Sequence, residues 1–553
     1  MVRIDLGLVA HLMWVFLLLA SVPQASAQEG ANDLCASCHD EITKKVTPTA
    51  HGAVSCQQCH AKHEEYPHPA NVPKPVCGSC HTDESAAFTR SVHSEVAKAG
   101  NAAAPDCAAC HGGAHEIPRS DSADFRKGIV ETCGMCHDKV AAEFNTSVHG
   151  KLVAQGSTKA AVCSDCHGEH AIQRPRNPTS AVNVRNIPET CAQCHAQLTL
   201  NSKFRMPLDR VQSFDDSFHG LALKSGVLSV ANCASCHGIH NILPSSDPKS
   251  TVHAKNLSAT CGKCHPGTSS RYAMGPVHIV EGKTEPTPVK YARVFYLAII
   301  PGTLGLMFLH NLGDWLRKLF KLRFNGKAYV EEGYPSDEIR MHRAERYQHF
   351  FLLISFSTLT WTGFALVYPD HWWARPLLMW ENDWPVRGTL HRISAAVMVA
   401  VSIGHVISLV LSERLRNRWY TLFPKARDIR EATQMMLYNV GLRKQRPVLS
   451  SHSYIEKAEY WAVVWGTLVM VLTGFLLWFS TWTMSWAPKW VLDLATAMHF
   501  YEAVLAALAI LIWHIYYVIL DPDVYPMDPA WLTGKSTRIR RRRHGDQEEE
   551  ETH

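Results

Sequence analysis

No cysteine occurs after Cys264 and, the first twenty residues aside, no long apolar run occurs before Tyr291. These two absences exclude a single soluble globule, because a cysteine-rich polar stretch is followed by one of membrane character. A charge excess is missing as well: 55 basic against 50 acidic residues leave +5 over 553 positions, which gives no reason to expect a nucleic-acid partner. Nor does any thiol remain once the cysteines are grouped, so the disulfides usual in an exported cysteine-rich chain have nothing to form from.

At the start stand Arg3, an apolar run from Leu6 to Ala20, and Ala25-Ser26-Ala27, which has the small-x-small form of a signal-peptidase site. Residues 1–27 therefore read as a signal peptide, with the mature chain expected to begin near Gln28 outside the cytoplasm.

The 18 cysteines form nine copies of Cys-x-x-Cys-His. They are Cys35, Cys38 and His39; Cys56, Cys59 and His60; Cys77, Cys80 and His81; Cys107, Cys110 and His111; and Cys133, Cys136 and His137. Cys163, Cys166 and His167 follow, then Cys191, Cys194 and His195; Cys233, Cys236 and His237; and Cys261, Cys264 and His265. Two thiols at this spacing take up the two vinyl groups of haem as thioethers, and the adjacent histidine reaches the iron. One copy would also suit a redox dithiol or half a zinc site. Nine copies with histidine always in fifth place point to nine c-type haems.

Eleven other histidines lie between Gln28 and Lys290. A repeat of two motifs organises them: a motif, a helix-like stretch ending in histidine, a second motif, and another histidine soon after. Phe88 to His93, Phe144 to His149 and Phe214 to His219 show the first position; Gly168-Glu169-His170 and Gly238-Ile239-His240 show the second, with looser equivalents at His63 and His115. Four repeats and a last half repeat ending in His278 thus offer His51, His63, His93, His115, His149, His170, His219, His240 and His278 as nine distal ligands. His68 and His253 are left for the surface. Spacing alone does not pair them with individual irons, since a repeat can hand its ligand to a neighbour. A matched count implies six-coordinate, bis-histidine irons, which pass electrons and offer no open position to a substrate. With about 260 residues around nine haems, 28–280 is expected as a periplasmic nonahaem domain whose core is haem, wrapped by short helices and loops. The segment from Leu198 to Arg210 is an insertion in the fourth repeat.

Apolar runs at about 291–312, 347–368, 389–411, 459–480 and 497–520 are each long enough to span a membrane. Basic residues crowd alternate loops: Arg317, Lys318, Lys321, Arg323 and Lys327; then Arg414, Arg416, Arg418, Lys425, Arg427, Arg430, Arg443, Lys444 and Arg446; then Arg538 to Arg543. The positive-inside rule therefore sets the cysteine-rich part outside and the C-terminus in the cytoplasm. The fold class expected is mixed: a haem-packed, loop-rich, short-helix domain, then an all-α bundle of five membrane helices. The divisions are a linker with first membrane helix and loop at 281–345, a bundle at 346–535, and a charged tail at 536–553.

Histidines within spans call for partners. His499 and His514 lie fifteen residues apart on the fifth span, about 60° apart in azimuth and about 22 Å along a straight helix, which suits two stacked haems. His391 reaches the depth of His499, and His349 that of His514. His405, fourteen residues after His391, also reaches the inner depth, so it could replace His349.

Residues about 340–535, with Glu345 to His349, Arg387 to His391, Glu459-Tyr460-Trp461, His499 to Ala503 and Trp513-His514, resemble the di-haem cytochrome b subunits of formate dehydrogenases and nickel-iron hydrogenases. That resemblance implies two b haems held by His349, His391, His499 and His514, and leaves His405 for a quinone pocket near the inner haem. The family bundle has four helices, so the first span, with Pro301 and His310, is an addition. With nine c-haem motifs in the same chain, the whole resembles inner-membrane cytochrome b/c fusions of the CbcL type in metal-reducing bacteria. The implied activity is that of a menaquinol:cytochrome c oxidoreductase feeding periplasmic multihaem cytochromes. A quinone-reducing subunit fed by a periplasmic dehydrogenase or hydrogenase is the alternative; a direct reductase of a small nitrogen oxide fits the histidine count poorly.

Overall fold

The computed structural model describes residues 33–60, 75–204, 206, 209–280, 283–324, 334–335, 339–450, 452–536 and 539–540. The expected signal peptide at 1–27, His63, His68, Arg538 and the tail beyond Arg540 lie outside the described residues. Among the described residues the fold is helical, with one two-residue antiparallel ladder, Tyr334 opposite Arg540 and Pro335 opposite Ile539. Two compact units divide the chain, Met1–Asn183 and Val184–His553. Six Cys-x-x-Cys-His motifs fall in the first; the last three fall in the second, together with the long apolar helices.

Local rules build the motif regions. Cys107–His111, Cys163–His167 and Cys233–His237 are single helical turns. Asp106 and Asn232 cap two of them by accepting from Ala109 N at 2.9 Å and Ser235 N at 3.1 Å. Gly112, Gly168 and Gly238 end all three with φ of 83°, 80° and 86°, a conformation that costs glycine nothing. Between them, motif cysteines close longer helices, Ala123–Gly134, Ile187–His195 and Leu257–Gly262. The serine of each Phe-x-x-Ser-x-His stretch is an N-cap: Ser91, Ser147 and Ser217 accept from Ser94 N, Gly150 N and Gly220 N at 3.1, 3.0 and 3.2 Å. Each cap contributes about 1 kcal/mol and sets the next histidine at the second helical position. A small cluster, Val130, Val153, Ala160 and Val162, forms an apolar core in the first unit.

In the second unit five helices are long and apolar enough to cross a membrane. They are α1 (Thr287–Phe324), α2 (Arg343–Val367), α3 (Val386–Leu411), α4 (Tyr454–Trp478) and α5 (Lys489–Ala509), the last continued by π turns at Ile510–His514 and Tyr516–Leu520. Only 6 to 17 % of their apolar windows is buried within the protein, so the outward faces suit lipid and the chain is an integral membrane protein. α2 packs on α3, α4 on α5, and α1 on α5. The helices begin upstream of the apolar runs because capped polar turns start them. His342 N donates to Glu345 Oε2 at 2.7 Å before α2, and Ser453 N to Glu456 Oε2 at 2.9 Å before α4.

The basic loop between α3 and α4 is itself helical, at Glu413–Thr421 and Ala426–Asn439, which its charge had obscured. Asp428, Glu431, Met435 and Tyr438 form the buried stripe of the second helix, at the spacing of one helical face. α1 is fastened at its far end by Lys318, whose Nζ lies 2.8 Å from Asp314, 2.6 Å from Asp521 and 2.8 Å from Asp523. Tyr516 Oη donates to Asp314 at 2.7 Å.

Lys318→Met should therefore strand two buried carboxylates, Asp314 and Asp521, and lower stability by about 3 kcal/mol. Thermal unfolding in detergent checks this, and adding Asp314→Asn with Asp521→Asn should restore part of the loss.

Candidate functional site

Two metal–nitrogen bonds of about 2.0–2.1 Å, with each ring centre about 1.1 Å behind its nitrogen, put imidazoles that share one metal about 6.3 Å apart. Ring pairs at this spacing recur throughout the motif regions. In the first unit they are His51 with His81 at 6.0 Å, His60 with His115 at 5.9 Å, His93 with His137 at 6.4 Å and His111 with His170 at 5.9 Å. In the second they are His219 with His265 and His237 with His278, both at 6.3 Å. Each joins a motif histidine to one outside the motifs. His149 lies in the helix Val148–Ala154, His240 follows Gly238, and His39, His167 and His195 stand at the ends of their motif turns. His253 is engaged locally, its Nδ1 accepting from Lys255 N at 3.2 Å.

The pairs show a handover that spacing had left open. His51 and His93, from the first repeat position, pass two motifs forward, and so does His219. His115 and His170, from the second, pass two motifs back. Recurrent backbone bonds hold the exchange in the first unit: Ala50 N donates to Ile117 O at 3.2 Å and Val92 N to Ile172 O at 2.8 Å. Thiols of consecutive motifs also adjoin. Cys35 meets Cys56, Cys77 meets Cys107, Cys133 meets Cys163 and Cys191 meets Cys233, while every described cysteine remains free of disulfide. Burial pushes the rings of His93, His111, His219, His237 and His265 below the usual imidazole range and His278 to about 4, so neutral nitrogen lone pairs are on offer at pH 7.

Two further pairs stand within the bundle. His391 on α3 and His499 on α5 have ring centres 6.4 Å apart, and His349 on α2 and His514 at the end of the first π turn are 6.3 Å apart. The first level is the near one, at the end where Ser269 N donates to Met484 O at 3.1 Å and joins the motif region of this unit to the bundle. Its tautomers follow from two threonines. Thr362 Oγ1 donates to Thr358 O at 2.6 Å and lies 2.8 Å from His391 Nδ1; Thr473 Oγ1 donates to Val469 O at 2.7 Å and lies 2.9 Å from His499 Nδ1. Each hydroxyl has spent its proton on the helix carbonyl and so accepts from Nδ1–H, leaving Nε2 unprotonated. Ser213 does the same for His278, donating to Arg210 O and lying 2.9 Å from His278 Nδ1. Glycine follows each threonine, and a Cβ on Gly474 would come within 3.3 Å of the His499 ring.

At the far level Glu459 Oε1 lies 3.4 Å from His514 Nδ1, and His349 Nδ1 is buried without a hydrogen-bond partner. His405 meets no histidine there: its Nε2 lies 3.0 Å from Tyr460 Oη and its Nδ1 3.2 Å from Gln348 Oε1. An internal repeat explains why. α2–α3 and α4–α5 are parallel hairpins of sequence, in which Thr362-Gly363 corresponds to Thr473-Gly474, His391 to His499 and His405 to His514. The place of His349 in the second hairpin is held by Tyr460, so the pair His349/His514 has Tyr460/His405 as its counterpart. The one-residue difference between the His391–His405 and His499–His514 spacings is taken up by the π turn, so the straight-helix azimuth of about 60° does not hold.

Residues 340–525 match the family of prokaryotic cytochrome b561, and residues 151–199 match the doubled CXXCH motif. The two matches support a membrane electron-transfer cytochrome. No curated protein and no solved structure matches the chain. The cytochrome b561 match takes in α2 to α5 and both bundle ring pairs but leaves out α1; the CXXCH match takes in the motifs at Cys163 and Cys191. Haems of b and c type are supported accordingly. The residues fit them: thiol pairs without disulfides, facing imidazole rings, and a glycine beside the His499 ring. Among the described residues no three His, Cys, Asp or Glu side chains converge as a bare metal ion would need.

The threonines escaped the sequence reading although the repeated Thr-Gly pair was visible, and Glu459 and Tyr460 entered it only within the resemblance, without a role. Thr362→Val and Thr473→Val should each keep the bundle folded while weakening retention of one b haem about tenfold or more. Haem content after dilution into detergent with a haem scavenger measures the loss.

Proposed function

We propose that this cytochrome oxidises menaquinol at the far end of the bundle and passes the electrons through two b haems and nine c haems to periplasmic multihaem c-type cytochromes. The observation that carries the reading is the set of eight facing ring pairs, six in the motif regions and two at separate levels of one bundle. When bound, the haems supply one-electron transfer. The cysteines anchor the c haems; His349 with His514 and His391 with His499 hold the b haems, and the threonines keep Nε2 turned to the iron. Paired histidines leave no open iron among the described pairs, which disfavours direct reduction of a small nitrogen oxide.

An inner-membrane setting with the far end in the cytoplasm is supported by the basic residues between α3 and α4. At that end His405, Tyr460 and Gln348 form a half-buried polar set able to exchange hydrogen bonds with a quinol hydroxyl, and His310 Nε2 lies 2.7 Å from Tyr454 Oη close by. Protons released there leave on the cytoplasmic side, so electron flow outward conserves little energy by itself.

Pyridine haemochrome analysis after acid–acetone extraction should give nine c haems to two b haems; no extractable haem would refute the bundle assignment. Alanine at His499 or His514 should each remove one b haem and spare the c haems, whereas His405→Ala should retain both and slow menaquinol oxidation. A quinol-analogue inhibitor should perturb the His349/His514 haem. A perturbation that survives loss of that haem and disappears with the His391/His499 haem would move the pocket to the outer side.

A further inference from the structure

The four bundle imidazoles differ in what stands behind them. Both near-level rings give Nδ1–H to neutral threonine oxygens, at 2.8 and 2.9 Å. At the far level Glu459 Oε1 stands 3.4 Å from His514 Nδ1, a charge contact without a hydrogen bond, and among the described residues none bonds to His349 Nδ1. Among the described residues no lysine or arginine forms an ion pair with Glu459. It is three-quarters buried, in surroundings where water screens little.

From this asymmetry we infer that Glu459 holds the haem of the His349/His514 pair at a lower potential than that of the His391/His499 pair, and so directs electrons toward the motif region. The inference rests on the ligand assignments proposed above and supplies the direction that they leave open. Its chemistry is electrostatic. A ferric iron carries one more positive charge than a ferrous one, and a carboxylate behind a ligating imidazole would stabilise the extra charge. The same charge makes the imidazole a stronger donor to ferric iron. A threonine oxygen whose own proton is committed to a helix carbonyl is neutral and does far less of either. With haems held by His349/His514 and His391/His499, an electron from menaquinol at the far level would run downhill to the near level. Glu459 is a positioning residue in this account: it touches the ligand and acts on the iron through it.

The test is a redox titration of the purified protein, following the b-haem α-bands. His391→Ala, which lacks the near haem, should leave a b haem titrating at the lower of the two wild-type potentials. Glu459→Gln should raise the lower potential toward the upper one with both b haems present, and Glu459→Asp should restore it; Thr362→Val should leave the lower potential unmoved. Titration of the His391→Ala haem at the upper potential would overturn the inference, even if Glu459→Gln failed to retain haem. So would an unmoved lower potential in a fully loaded Glu459→Gln protein. Failure of the ligand assignment is distinct from both: His514→Ala would then keep two b haems.

Discussion

Two imidazoles that are to share an iron must face each other across a gap of about 6.3 Å and must not close it. A polypeptide left to its own packing would collapse such a gap, so the chain restrains the backs of the rings. The restraints are of a few kinds: a serine N-cap before the histidine, a glycine that ends the motif turn, a backbone bond between repeats, or a hydroxyl already committed to a helix carbonyl. Ser213, Thr362 and Thr473 use the last of these in regions of very different surroundings. The same local chemistry thus serves a loop-rich cysteine domain and a lipid-embedded bundle.

The motifs were legible because covalent attachment needs an invariant spacing, and the membrane helices because lipid demands long apolar runs. Both signals are local. The ring pairing was not legible, since His51 passes a whole motif to meet His81. The choice between His349 and His405 rested on resemblance alone. In the structure the His349 ring faces that of His514, and the His405 ring lies 3.0 Å from Tyr460 Oη instead. The helix Ala426–Asn439 went unread because its buried stripe lies among arginines that were counted only for topology.

α1 lies outside the region shared with the cytochrome b561 family, yet it bears on the far pair. A π turn places one extra residue in a helix and leaves a carbonyl poorly paired. In the first π turn Ile512 O accepts from Asn311 Nδ2 of α1 at 2.6 Å, two residues before His514. His310, next to Asn311, packs its ring 5.1 Å from Trp513. Lys318 binds the chain just after the second π turn through Asp521. Three contacts from one added helix therefore bracket the irregular segment that carries His514. Without the π turn, fifteen residues on a regular helix would rotate His514 about 100° further than fourteen do, away from the direction His405 takes on α3. The wide turn takes up that rotation, and the added helix bonds to it at Ile512 O.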